Sequence, residues 1–236
     1  MRIHGVVCWF QESPSWLAAM AASAARLVDH LVVVDGRYAL FGHELPVSPT
    51  LEAETLIETC EGAGVAMTMY RPSEPYWGNE VEKRNLSVRL AMVSATQMED
   101  WVVVLDGDQY IRHVNKVAVR NQLKLTDKHV AELVVEEYMD PHNPDQPLDI
   151  ARHRFLGSVH HTYVRQMYRC LPNLGYEGAH YCVHGDVDGV KTWLWGHPEM
   201  VEAERIEDHL IVRHRNILRT AERRQQAAFY YEQRDR

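Results

Sequence analysis

An apolar run of strand length, Trp101-Val-Val-Val-Leu105, ends in two carboxylates one residue apart, Asp106 and Asp108, with Gly107 between them. A strand that buries Val102, Val103, Val104 and Leu105 must reach the surface before it carries charge, because an unpaired carboxylate in a core is very costly. The two aspartates therefore belong at the carboxyl end of a buried strand, which in open α/β sheets is where ligands bind. Two hard oxygen donors beside a glycine suit a divalent cation carrying a phosphorylated substrate. Asp and Gly are also ordinary residues of a strand-to-loop turn, so the motif gains meaning only from its neighbours.

Three further features supply them. Asp35 ends a second apolar run, Val32-Val-Val-Asp-Gly36, and a carboxylate at such a strand end can accept hydrogen bonds from a base or ribose. Lys83-Arg84-Asn85 lies in the helical segment just before the metal strand; a Lys-Arg pair there can neutralise phosphate, or can be a solvated helix face. His214 closes the run Asp208-His-Leu-Ile-Val-Arg-His214. Strand alternation puts Leu210, Val212 and His214 on one face, and His209, Ile211 and Arg213 on the other. His214 can then offer a nitrogen to the metal of Asp108.

The elements that must position these residues alternate in the first half, which implies a parallel sheet with crossover helices. The expected order is a strand over 3–10 and an Ala-rich helix to about 28, opened by Ser13-Pro14 as cap and first helical residue. A strand over 31–34, a helix over 51–61, a strand over 65–70 and a helix from 79 to about 96 follow, the last with its apolar spacing at Val81, Leu86, Leu90 and Val93. The second half predicts strands over 129–138, 162–170 and 205–214, in an antiparallel or mixed portion. A segment rich in Pro, His, Asp and Gly lies over 140–147, and Thr220 caps a final helix to about 232.

The 236 residues suffice for one α/β unit with a full core, and the 46% hydrophobic and 25% charged content is that of a soluble globular chain. The formal charge of −8 argues against a generic nucleic-acid coat while permitting a local basic groove. No apolar run approaches membrane-span length, and no secretion signal is legible. Four cysteines without a C-x-x-C pair (Cys8, Cys60, Cys170, Cys182) fit a reduced, cytoplasmic protein.

Taken together, in order, the segments resemble the family 2-like glycosyltransferases of bacterial or phage type, which have the nucleotide-sugar-binding GT-A fold. Trp9-Phe-Gln-Glu12 is similar to the family's first strand end with its N-E pair, and Val33-Val-Asp-Gly36 to its V-V-D-D-G strand end. Lys83-Arg-Asn85 followed by Asp100-Trp-Val-Val-Val-Leu-Asp-Gly-Asp108 resembles A-R-N…G-D-W-I-L-x-L-D-A-D. Arg169-Cys-Leu-Pro-Asn-Leu-Gly-Tyr-Glu-Gly-Ala-His180 looks like the acceptor segment R-…-Y-x-G-x-I-H-E, and His214 with the 220–232 helix looks like the closing H-Y-G-x-S-x-E segment. Two departures stand out. Gly36 replaces the second aspartate of the family pair, and Tyr181 stands where a glutamate often follows the histidine.

The resemblance implies a mostly parallel Rossmann-like central sheet with helices on both faces and a small antiparallel acceptor-side portion. It implies a single GT-A domain over 1–236, with a nucleotide-sugar half at 1–111 and an acceptor half at 112–236. Phe10, Glu12, Asp35, Lys83, Arg84, Asn85, Asp106, Gly107 and Arg224 would hold the nucleotide sugar, a UDP-sugar before others. Asp108, His214 and Asp106, the last directly or through water, would hold Mn²⁺ or Mg²⁺. The acceptor would meet His180, Tyr181, Trp193 and Trp195. An inverting reaction needs one base, and Glu177, Asp186 and Asp188 are the candidates.

Acceptors in this family include glycans, lipids, proteins and the hydroxymethylated bases of phage DNA. Arg152, His153, Arg154, His160, His161, Arg165, Arg169, Trp193 and Trp195 could line a nucleic-acid groove or stack on sugars. Two other activities compete: a sugar-1-phosphate nucleotidylyltransferase, for which Gln11-Glu-Ser-Pro14 lacks the usual Gly-rich basic loop, and a non-catalytic nucleotide-sugar-binding module.

Overall fold

The computed structural model describes residues 1–38, 45–72, 77–95, 97–138, 159–179 and 181–214, with backbone alone at 137–138, 159–161 and 207–208. Four strands form the parallel half: β1 (Ile3–Cys8), β2 (His30–Val34), β3 (Ala66–Tyr70) and β4 (Trp101–Asp106). They lie in the order β3-β2-β1-β4. Beyond β4 the sheet continues through β7 (Val159–Arg169), β6 (Val130–Tyr138), β11 (Glu204–His214) and β5 (Gln109–Val114). In this half β11 runs parallel to β6 and the other pairings are antiparallel. A separate antiparallel sheet holds β8 (Gly175–Tyr176), β9 (Val183–Val187) and β10 (Val190–Trp195). This is the expected mixed α/β, Rossmann-like GT-A arrangement.

Alternation along the buried strands builds two cores. Trp101, Val103 and Leu105 join Ile3, Val7, Leu31 and Val33 on one face, packed by α1 (Pro14–Ala24), α2 (Thr50–Gly62) and α4 (Lys116–Leu125). Val102 and Val104 join Val6, Val32 and Val34 on the other, covered by α3 (Glu80–Ser94) and the three-stranded sheet. Helices therefore lie on both faces. Each fully buried aliphatic side chain contributes about 1.5–3 kcal/mol, so four buried residues in a row commit β4 to the middle of the molecule.

Several expectations need correction. The first strand stops at Cys8, although Trp9 still donates to the Val34 carbonyl at 3.0 Å. The first helix stops at Ala24, because Leu27 and Val28 turn back as donors to Ala24, which lets the Asp29 carboxylate accept the Ile3 N–H. Ser13 holds the cap position with its carbonyl, while its hydroxyl bonds Ser15 rather than the helix. The α3 spacing identified the helix but not its buried face. Val93 is 86% exposed, and the helix buries Glu80, Lys83, Arg84, Ser87, Val88 and Ala91. The elements β5 and α4 had no counterpart in the expectations, whereas the three-stranded sheet is the small antiparallel portion that was expected. The 140–147 segment and the 220–232 helix lie outside the described residues.

Candidate functional site

Asp106 ends β4, and the chain turns through Gly107 and Asp108 directly into β5. A Cβ on Gly107 would stand 3.1 Å from Glu12 Cγ and 3.3 Å from Trp9 Cβ, so a side chain there would crowd the turn against the loop after β1. The β11–β5 register sets His214 opposite Gln109, next to Asp108 in sequence. His214 Nε2 thus comes 3.1 Å from Asp108 Oδ2, with Asp108 only 1% exposed. Two of the three residues named as metal ligands meet, although 105 positions separate them in the chain (214 − 108 − 1).

Asp106 faces a different partner. Arg84 Nη2 donates to Asp106 Oδ1 at 2.8 Å and to Glu80 Oε1 at 2.9 Å, and Arg84 Nε reaches the same Glu80 oxygen at 3.0 Å. Burial works against the guanidinium's charge, but Asp106 and Glu80 outweigh it and hold Arg84 protonated well above its ordinary range. Asn85 caps this arrangement by accepting the Tyr176 N–H and donating to the Tyr176 carbonyl, which docks β8 on α3. Lys83 is 1% exposed and donates to the carbonyls of Trp9 (2.6 Å) and Gly36 (2.7 Å). It staples the ends of the first two strands together rather than pointing outward as a phosphate ligand would.

Asp35 is fully buried and already has four donors: the N–H of Gly36, the N–H and hydroxyl of Ser48, and Arg71 Nε at 3.1 Å. A carboxylate offers about four acceptor sites, so Asp35 organises the loops around it. Gly36 explains the missing second aspartate. Its φ is +112°, and a Cβ would stand 2.8 Å from Trp77 Nε1 and 2.9 Å from Pro72 Cγ. Beside Asp35, Glu52 accepts the Glu12 N–H at 3.2 Å, and burial pushes its carboxyl up to about 7. The strand-end pattern contained no sign of Glu52, which comes from the first turn of α2. Phe10 packs on Tyr38, and Glu12 is 6% exposed beside Gly107.

The three base candidates separate. Glu177 is half exposed and bonds Lys191, whose donated hydrogen bond holds the carboxyl below the usual range; His184 lies 3.5 Å away. Asp186 accepts from the Asn173 amide at 2.6 Å. Asp188 has φ of 51° and is followed by Gly189 at 78°, the two positive-φ centres of a type I′ turn joining β9 to β10. Of the acceptor candidates, Trp193 has His197 stacked on it at 4.5 Å and Lys191 over its ring at 4.6 Å, so both are already engaged with it. Trp195 meets Tyr181 edge-on at 6.3 Å. Arg165 bonds Glu132 and the Leu194 and Val201 carbonyls, and Arg169 lies over Trp101 and donates to the Thr126 carbonyl. His180, Arg152, His153, Arg154 and Arg224 lie outside the described residues, as do the side chains of His160 and His161.

Among the described residues no three His, Cys, Asp or Glu side chains converge as a metal cage. The donors that do meet, one carboxylate and one imidazole, fit a cation that completes its shell with substrate phosphate and water, as Mg²⁺ commonly does. Among the described residues no helix is long and apolar enough to cross a membrane.

No protein-family model matches the sequence, and no curated protein matches it. Among solved structures, the chain is similar to S. aureus TarS at 16% identity and a TM-score of 0.40, over 72% of this chain and 28% of that one. It is also similar to the 1–349 portion of S. aureus TarS at 16% identity and a TM-score of 0.39, over 72% of this chain and 47% of that one. The chain thus spans less than half the length of either, and a likeness of this degree carries no chemistry with it.

Proposed function

We propose that the chain is a metal-dependent glycosyltransferase that moves a sugar from a nucleoside-diphosphate donor, a UDP-sugar before others, to an acceptor hydroxyl with inversion. The observation that carries this is the Asp108–His214 pair at 3.1 Å, beside an Arg84-clamped Asp106 at the carboxyl end of β4. When bound, Mn²⁺ or Mg²⁺ supplies Lewis-acid stabilisation of the departing diphosphate. Asp108 and His214 would hold it. Asp106, oriented by Arg84, would contact the ribose or a metal-bound water. Asp35 and Lys83 would act at one remove, fixing the loops on which the base rests near Phe10 and Glu12. Arg84 and Arg224 would add positive charge near the phosphates.

The acceptor oxygen would attack the anomeric carbon while the bond to diphosphate breaks, and one carboxylate would take the hydroxyl proton. Glu177 is favoured because it follows Tyr176, which Asn85 ties to the helix carrying Arg84. The reaction would run in the cytoplasm. Acceptors range over glycans, lipids, proteins and hydroxymethylated phage DNA bases. Binding to duplex DNA that weakens steeply with salt would select the last.

The test is release of nucleoside diphosphate from a panel of nucleotide sugars, with and without Mn²⁺, for the wild type and Asp108→Asn. The expected result is metal-dependent release abolished by the substitution. Absence of such release from every donor would sink the proposal. Metal-dependent formation of a nucleotide sugar from a sugar phosphate would favour a nucleotidylyltransferase instead. Donor binding without turnover on any acceptor would favour a binding module.

A further inference from the structure

Directly beneath the Asp106-Gly107-Asp108 turn lie two buried amides, Gln109 and Gln166, at 5% and 7% exposure. They meet where the large sheet forks. The strand β7 lies between β4 and β6 and pairs with β4 only as far as Val103↔Met167; Gln166 is the next β7 residue, at the register irregularity in its pairing with β6 between Ala131↔Met167 and Glu132↔Arg165. The Asp106 N–H donates to Gln109 Oε1 at 3.2 Å, and Gln166 Nε2 donates to the same oxygen at 3.2 Å. The orientation of both amides is forced. Flipping Gln109 would set its NH₂ against the Asp106 N–H, and flipping Gln166 would oppose two carbonyl oxygens.

Gln166 Oε1 is left buried with no hydrogen-bond partner among the described residues. For stability alone, an apolar side chain of the same size would serve at position 166 at least as well as an amide with one acceptor unmet, whereas at position 109 it would take the acceptor from the Asp106 N–H. The pair holds one backbone N–H of the turn. The bond it makes falls on the backbone of Asp106, two residues before Asp108.

We propose that Gln109 and Gln166 are positioning residues for the metal turn. Gln166 orients the Gln109 amide, and Gln109 Oε1 holds the Asp106 N–H so that Asp106 keeps to Arg84 and Asp108 keeps to His214. This rests on the metal site proposed above. Groups that orient metal ligands in this way typically influence affinity about 10–100-fold.

The experiment titrates Mn²⁺ alone against the full chain by water-proton relaxation enhancement, with thermal midpoints recorded in parallel. Gln109→Met removes the acceptor, Gln166→Met removes only its orienting partner, and Gln109→Glu keeps an acceptor oxygen in place. The expected pattern is Mn²⁺ affinity weaker by about 10–100-fold in Gln109→Met and by about 10-fold in Gln166→Met. Gln109→Glu stays at wild-type affinity or binds more tightly, and the thermal midpoint of Gln166→Met is not lowered. Wild-type affinity in Gln109→Met would overturn the inference alone, as would an equal loss in Gln109→Glu. Should Gln109→Met fail to fold, the other two variants decide: wild-type affinity in Gln166→Met overturns the inference, and weakened binding there with binding retained in Gln109→Glu supports it. A wild type that binds no Mn²⁺ overturns the metal site and this inference together.

Discussion

Replacing Glu52 with glutamine should make the protein more stable, and only above about pH 5. Glu52 is 5% exposed in the first turn of α2. Burial pushes its carboxyl up to about 7 from an ordinary 4.5; Ser48 and the Glu12 N–H pull it back, and the Asp35 and Glu12 charges push it further. The sign follows from which state holds the proton. Between pH 4.5 and 7 the folded chain keeps a proton that the unfolded chain has released, so stability falls as pH rises through that window and levels off above it. The gap of about 2.5 units (7 − 4.5) at 1.36 kcal/mol per unit corresponds to about 3 kcal/mol. Glu52→Gln is neutral throughout and can still accept the Glu12 N–H. Its advantage should be near zero at pH 4.5, grow by about 1.4 kcal/mol per pH unit, and reach about 3 kcal/mol at pH 8. That corresponds to roughly 6–12 °C in thermal midpoint for a chain of this size. Urea unfolding of both proteins from pH 5 to 8 measures it. Parallel stability curves, or a variant less stable at pH 8, would refute the reasoning.

The buried pair His4 and His30, Nδ1 to Nδ1 at 3.3 Å, carries the opposite sign. Burial lowers both below 6.5, so the unfolded chain protonates first and stability should fall as pH drops below about 6.5; a His4→Leu, His30→Leu double variant should lose that slope in urea melts at pH 5–7. Gly196→Ala should cost about 2–3 kcal/mol by chemical denaturation, because φ is +74° and the new Cβ would stand 2.4 Å from the Tyr181 carbonyl oxygen. If Glu177 is the base, Glu177→Gln should lower kcat far more than KM. The acid limb of the wild-type profile should then lie below pH 4.5, since the Lys191 bond holds that carboxyl low. His214→Ala should remove Mn²⁺ binding while shifting the thermal midpoint only slightly, because His214 is a partly exposed end residue of β11.

The buried strands were legible because four apolar residues in a row leave few alternatives, but their Asp-Gly ends do not mark the surface: Asp35 and Asp108 stay buried, and Asp35 is met there by Ser48 and Arg71 from loops distant in sequence. Strand alternation put His214 on one face with Leu210 and Val212, and its place beside Asp108 was legible only from the resemblance of the segments taken together. Lys83 and Arg84 were read only in part, since their helix is polar on the side it buries. Each buried charge there is met by carbonyls or carboxylates from strands distant in sequence, which no local periodicity records. Asp188 was misleading for a related reason. Asp-Gly between two apolar runs is a hairpin signal, and the turn at Asp188-Gly189 leaves that carboxylate at a hairpin tip. Trp193 promised a stacking platform, but single residues in a sequence do not disclose that Lys191 and His197 engage the same ring.

The register of β11 has a consequence for how the chain matures. His214 sits at the end of a strand whose pairing shifts between Ile206 and Ile211 against β6, and again between Ile211 and Val212 against β5. A slip of one residue would bring Arg213 to the place of His214 and turn the strand's apolar face outward. Asp108 would then meet a guanidinium, which neutralises a carboxylate but binds no cation. During synthesis β4 and the Asp106-Gly-Asp108 turn are made long before residue 214. A chain paused or clipped in that interval would have Asp108 without His214, and a misregistered one would have a salt bridge in its place. The Asp108–His214 contact thus reports that β11, the last strand among the described residues, has found its correct slot, and ligands that need both residues would stabilise only that outcome.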